Sequence, residues 1–309
     1  MTLSPSVVQT FVLFLLMAVG FGAGKARMLD EAANRGISRL LVNFVLPALV
    51  IESMQRPFSP ALRDFAFAML GASALSYAVA FPLAWLFVRA IGAKGPSRGA
   101  HGFSAIFSNC AFMGYPVVEA ILGKDAIFPA SIANILFQVL AFSVGPYILA
   151  GAARGKTRLG LSSFVTPAAV ASVLGFGFFV WGFSLPAPIG RALGMLGDMT
   201  TPLSMVLIGS IVSRMDFRKA VGSARLYATS LYRLVLFPLI LFGILRVLGL
   251  KGLLLSLPVI LAAMPVAANS AILAEAYGGD AETASSLVLV STLFSLVTIP
   301  VLAAIRFPS

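Results

Sequence analysis

Ten apolar stretches follow one another along this chain, each long enough to cross a bilayer, with only short polar joints between them. They cover roughly 5–24, 36–54, 65–90, 101–122, 126–151, 163–183, 190–212, 224–248, 253–276 and 282–305. A helix needs about 20 mainly apolar residues to span hydrocarbon. In lipid every backbone N–H and C=O must find a partner within the protein, and a run of this length does so as a helix. Only 11% of the residues are charged, against about 25% in a soluble domain, so there is too little polar surface to solvate a globule. The expected class is an all-α integral membrane protein. The opening segment, MTLSPSVVQTFVLFLLMAVGFGAGK, lacks a basic lead-in and a small-residue cleavage site before Lys25. It reads as a retained first helix and not as a signal peptide.

A formal net charge of +11 would suggest nucleic acid in a soluble chain. Here the basic residues sit between apolar runs, and topology accounts for them. The joints on one side hold 14 of the 22 Lys and Arg, including Lys25, Arg27, Arg154, Lys156 and Arg158. The joints on the other side hold 7, and Arg233, inside the eighth stretch, completes the set. The richer side is expected in the cytoplasm, which leaves both termini outside.

Shifting the chain by 155 residues superimposes its punctuation. Gly20-Phe21-Gly22 falls on Gly175-Phe176-Gly177, Pro47 on Pro202, and Asn43 on Asp198. The segment LGKDA (122–126) falls on YGGDA (277–281), and a shift of 156 brings Phe81-Pro82-Leu83 onto Phe237-Pro238-Leu239. Each half then holds five spans, an odd number, so the second enters the membrane from the opposite side. The expected domains are two inverted five-helix repeats, 1–155 and 156–309, an architecture of many secondary transporters.

Two spans carry helix breakers at matching depth. The fourth contains SNCAFMGYPVVEAILGKD (108–125) and the ninth contains VILAAMPVAANSAILAEAYGGD (259–280). Paired interruptions of this kind are the best sequence pointer to a midplane transport site. Pro116 and Pro265 are taken as the breakers. With the two spans running in opposite directions, the N-termini of both second half-helices are expected to point at one place, which favours an anion such as a carboxylate. Asn109 and Asn269 are expected to add donors and to cap the breaks; the plainer reading is that they bond helices together. The substrate-binding set is Asn109, Gly114, Tyr115, Pro116, Pro265, Asn269 and Ser270.

At these residues the sequence resembles the auxin efflux carrier family, which includes the plant PIN carriers and bacterial malonate and malate permeases. NCAFMGYP (109–116) is similar to the family's Asn–x4–Gly–x–Pro segment. MPVAANSAILAEAYGGDAETASSLVLVSTLFSLVTIP (264–300) is similar to its ninth and tenth helices, and VNFVLPALVIESM (42–54) to its second. The resemblance implies ten helices, with helices 1, 2, 6 and 7 as a scaffold and the rest as a mobile transport part in which helices 4 and 9 cross. It also implies that Asn109 lies in the substrate site beside Pro116 and Pro265. The short joint between the fifth and sixth spans departs from the long plant members, so a regulatory cytoplasmic loop is not expected.

Other polar residues in the spans are weighed against plainer roles. Asp198, Glu119 and Glu275 are candidates for coupling ions or protons; otherwise Asp198 caps the start of span 7 and the glutamates face solvent. Glu52 and His101 read as interfacial, Arg233 as a snorkelling side chain with pairing to substrate as the alternative, and Trp85 and Trp181 as belt or lipid-facing residues. No CxxC, HExxH, GxxxxGK[ST] or GxSxG occurs. No cofactor, metal site or catalytic residue is expected, and with no ATP-binding domain transport must run on gradients.

The function expected is a secondary carrier for a small organic anion in the inner (cytoplasmic) membrane. The alternative is a sodium- or proton-coupled symporter or antiporter of bile-acid-transporter-like fold. An intramembrane enzyme would need a paired nucleophile and base, and a channel would give no reason for inverted broken helices. The partners consistent with this reading are the anion and membrane lipid, with a coupling proton or sodium ion and a homodimer both left open, and no nucleic acid.

Overall fold

The computed structural model describes residues 5–150, 166–214 and 223–305. Among them every regular element is helical, and the β-type pairing is a lone antiparallel bridge between Ser108 and Val266. Seven segments are long and apolar enough to cross a membrane: Val7–Lys25, Glu31–Ser53, Pro60–Ala90, Lys124–Ala150, Ala187–Arg214, Ala224–Val247 and Ala281–Ala304. Pro167–Val180 and Gly252–Ala262 are shorter apolar helices. The protein is therefore an all-helical membrane protein. The basic joint around Arg154, Lys156 and Arg158 lies outside the described residues, as do Arg218, Lys219 and Arg306.

The chain divides into two compact units, each assembled from separated segments. The first comprises Met1–Leu70, Ala111–Ile135 and Val165–Met215. It holds α1 (Pro5–Lys25), α2 (Glu31–Leu40), α3 (Leu46–Ser53), α6 (Gly114–Leu122), α9 (Pro167–Val180), α10 (Ala187–Asp198) and α11 (Thr200–Arg214). α1 and α11 meet backbone to backbone. A Cβ built on Gly20 would overlap the Val206 carbonyl, one on Gly209 the Met17 carbonyl, and one on Gly24 the Ser213 hydroxyl. Small residues spaced four apart are how membrane helices approach closely when no hydrophobic force separates lipid from protein. Leu41, Val45 and Leu207 form a buried apolar cluster beside this pair, with Ile37, Phe112, Leu203 and Ile211 packed on it.

The second unit comprises Gly71–Cys110, Leu136–Phe164 and Asp216–Ser309. It holds most of α4 (Pro60–Ala90), then α5 (Ser97–Ile106), the latter part of α7 (Ile127–Ser143), and α8 (Gly145–Ala150). After these come α12 (Ala224–Leu231), α13 (Phe237–Val247), α14 (Gly252–Ala262), α15 (Ser270–Ala276) and α16 (Ala281–Ala304). α5 lies against α8 at Gly99, where a Cβ would stand 2.5 Å from the Ile148 carbonyl oxygen and 2.6 Å from that of Leu149.

Two helices contain a single widened π turn, and both have the same cause. Leu41–Val45 precedes Pro47, and Tyr232–Leu236 precedes Pro238. A proline has no N–H to give the carbonyl four residues back, and its ring crowds that carbonyl. The residue before each proline bonds five back instead: Leu46 N–H to the Leu41 carbonyl, and Phe237 N–H to that of Tyr232. Widening one turn keeps the span continuous, and such turns recur at functional sites.

Candidate functional site: the crossing of two interrupted helices

Within the second unit, α5 stops at Ile106 and α14 at Ala262. Residues 107–109 and 265–267 then run antiparallel as a short two-stranded crossing. Asn109 N–H donates to the Pro265 carbonyl at 2.7 Å, and Ala267 N–H to the Phe107 carbonyl at 3.3 Å. Phe107 is extended (φ −104°, ψ 116°) and anchored by rings. Phe103, Phe137, Tyr77 and Phe81 have ring centroids 4.7, 6.0, 6.1 and 6.3 Å from it.

A helix end leaves backbone groups without intrahelical partners, and burial makes each one costly. At this crossing side chains take up the remainder. Ser108 Oγ donates to the Leu261 carbonyl at 2.8 Å. Val266 N–H donates to Ser291 Oγ of α16 at 3.0 Å. Arg233, from the π turn between α12 and α13, reaches both helix ends. Its Nη1 donates to the carbonyls of Ala105 and Ile106, each at 3.1 Å, and its Nε to that of Met264 at 3.3 Å. The Arg233 side chain is 1% exposed and its guanidinium lies 5.4 Å from the Phe237 ring centroid.

The substrate-binding residues named from sequence divide between the units. Asn109, Pro265, Asn269 and Ser270 belong to the second, and Gly114, Tyr115 and Pro116 to the first. Asn109 is buried in the extended segment, and Ser270 is fully buried with its hydroxyl unpaired among the described residues. Tyr115 is buried, and its hydroxyl accepts from Asn134 Nδ2 at 3.0 Å.

Several expectations are corrected. Pro116 does not break the helix: α5 has already ended at Ile106, and Pro116 sits in the first turn of α6, where a missing N–H costs nothing. Asn109 does not hold the N-cap position of α6, which Met113 takes, and Asn269 holds that of α15 but not through its side chain. Arg233 does not snorkel; carbonyls freed by two helix breaks hold it inside. His101 is buried against neighbouring helices, with Nδ1 2.7 Å from Thr229 Oγ1. Thr229 gives its own proton to the Arg225 carbonyl, so His101 is the donor of that pair.

Of the coupling candidates, Glu119 and Asp198 belong to the first unit and Glu275 to the second. Asp198 ends α10 instead of starting its span, and its carboxylate pairs with Lys124 Nζ at 2.8 Å in an exposed ion pair. Glu119 accepts from Thr201 Oγ1 at 2.8 Å, and Glu275 is exposed on α15. Trp85 and Trp181 are exposed, as lipid-facing residues would be. Sequence reasoning missed Arg233, Ser108 and Ser291 as members of the crossing. The signal for Arg233 was its place five residues before Pro238, inside the turn that the proline widens.

The model of the membrane transport protein family matches residues 5–158 and 154–303. This chain belongs to that family, the family of the auxin efflux carriers. It is 29% identical over 297 residues to an uncharacterized transporter of Methanothermobacter thermautotrophicus, covering 96% of this chain and 95% of that one. It is 23% identical over 286 residues to a Rhizobium meliloti protein named “putative malonate transporter”, covering 89% and 88%. It is also 23% identical over 305 residues to the uncharacterized transporter YfdV of Escherichia coli, covering 93% of each. The protein is a membrane transporter of this family.

Proposed function

We propose that the protein is a secondary carrier that moves a small organic anion, a carboxylate, across the cytoplasmic membrane by alternating access. The observation that carries this reading is the crossing itself. Non-helical backbone at membrane depth persists only where protein buries it or a water-filled cavity meets it. Carriers use such interruptions to build a substrate site. Here the interruption is kept at the cost of four side-chain devices, from Ser108, Ser291, Arg233 and the Phe107 ring cluster, which a plain kink would not need. Ser270 adds a buried hydroxyl with no partner among the described residues, a group that gains from a polar ligand. The name of the Rhizobium meliloti relative supports a dicarboxylate.

In this reading Asn109, Asn269 and Ser270 bind the carboxylate beside Pro265. Gly114, Tyr115 and Pro116 stay in the substrate set on the motif alone. Glu119, Asp198 and Glu275 remain candidates for ion or proton coupling. The fold is ten spans in two inverted repeats, 1–155 and 156–309, with both termini outside. In support, the two stretches matched by the family model meet at 154–158, near the boundary that the 155-residue shift sets. The first compact unit collects the spans that the family resemblance assigns to a scaffold, together with the start of α4, α6 and the start of α7.

The test is counterflow of radiolabelled malonate and other short dicarboxylates in proteoliposomes. Saturable, trans-stimulated uptake is expected. Unsaturable flux with no trans-stimulation would make the protein a channel, and no flux of any carboxylate would remove the anion reading.

A further inference from the structure

We propose that Arg233 is a positioning residue of the transport site, its guanidinium acting as a tethered cation that fills the carbonyl cradle between the ends of α5 and α14; this rests on the carrier reading for its functional consequence. A helix C-terminus carries about half a negative charge. Two C-termini meeting in a low-dielectric interior amount to about one negative charge, and a buried charge must be balanced. The crossing brings two such ends together. Among the described residues, none of the ion pairs includes Arg233. Its partners are backbone carbonyls: Ala105 and Ile106 from one helix end, and Met264 from just beyond the other. A guanidinium is always protonated and donates in a planar fork, so one side chain can bond both ends at once. The π turn before Pro238 holds Arg233 at this depth.

The grip falls just upstream of the proposed site on both strands. Ile106 is followed by the extended residues Phe107, Ser108 and Asn109, and Met264 is bonded to Pro265. The Pro265 carbonyl receives the Asn109 N–H. Arg233 therefore fixes the register between Asn109 and Pro265 without touching the substrate. The charge, and not the bulk of the side chain, is what the cradle requires.

The experiment separates charge from shape by small-molecule rescue. Arg233→Ala is purified and reconstituted, and counterflow of radiolabelled malonate is measured with millimolar guanidinium chloride or with urea, its neutral counterpart of similar shape. Counterflow of the variant should fall by about tenfold or more. Guanidinium should restore a substantial part of it and raise the melting temperature of the variant but not of the wild type, while urea does neither. Equal rescue by urea, no rescue by either, or wild-type transport by Arg233→Ala alone would overturn the proposal. Should that variant not fold, Arg233→Lys is compared with Arg233→Gln. The lysine should keep measurable transport and the glutamine lose it, and equal behaviour of the two, including failure of both to fold, would overturn the role of charge. If wild type carries no carboxylate, the carrier reading fails instead, and the melting-temperature comparison still decides whether the cradle takes a cation.

Discussion

Replacing Ser291 with alanine should loosen the crossing by an amount the hydrogen bonds define. Val266 N–H sits in the bridge with Ser108 and donates to Ser291 Oγ, which in turn donates to the Val288 carbonyl. Ser291 and Val266 are both fully buried. Alanine removes the acceptor and leaves a dry N–H, which costs ~1–3 kcal/mol. The Val288 carbonyl lies within α16, so the bond lost there adds little. Local opening at Val266 should therefore rise by roughly five- to a hundredfold. Amide exchange followed by mass spectrometry, on a peptide covering 264–269 in detergent, reads that factor directly. Ser291→Cys, of similar shape but with a weak acceptor, should fall between alanine and wild type. Unchanged exchange and an unchanged melting temperature in Ser291→Ala would refute the claim that this hydroxyl satisfies the crossing.

Asn109→Ala should weaken substrate binding by about 1.5–3 kcal/mol, roughly ten- to a hundredfold, as loss of one hydrogen bond to a charged ligand would. If affinity holds while the melting temperature collapses, Asn109 is structural only. Gly209→Val forces side-chain atoms into the Met17 carbonyl, so folded yield should fall sharply; normal yield and melting temperature would mean that α1 and α11 can separate freely. A cysteine placed at Lys156 in a Cys110→Ser background should resist impermeant thiol reagents added to intact cells, and ready labelling would reverse the orientation. Wild-type Cys110 is itself buried, so it should react only after detergent unfolding.

Several ends of the apolar stretches were legible because hydropathy and breaker residues carry them, although the helices read as starting at 36 and 65 start five residues earlier, at Glu31 and Pro60. The span read as 224–248 runs over Ala224–Val247, and that read as 282–305 over Ala281–Ala304. The interruption of the fourth and ninth spans was also legible, but its cause was not. Proline chemistry is local and suggested that Pro116 breaks a helix, whereas α5 ends where Phe107 turns into the crossing. That turn depends on partners more than 150 residues away, such as Leu261 and Pro265. Arg233 was misjudged for a related reason. A charge within an apolar run looks like a cost to be relieved at the interface, because the carbonyls released by a distant helix break leave no local mark. The Gly20–Gly24 spacing was visible in the sequence, yet only the structure sets Gly20 against Val206 and Gly24 against Ser213.

The two π turns bear on how relatives should be aligned. Each widened turn holds about one residue more than an α turn, and each residue swings a helix by about 100°. Straightening the turn at Leu41–Val45 without losing a residue would rotate everything before it by that angle, carrying Ile37 off the apolar cluster it packs against, whereas deleting one residue there would restore a regular helix with both ends in place. A relative lacking Pro47 or Pro238 should therefore carry a compensating one-residue gap inside an apolar span, where alignments are usually assumed to be continuous. Without that gap, the residue aligned with Arg233 would belong to a different face of its helix.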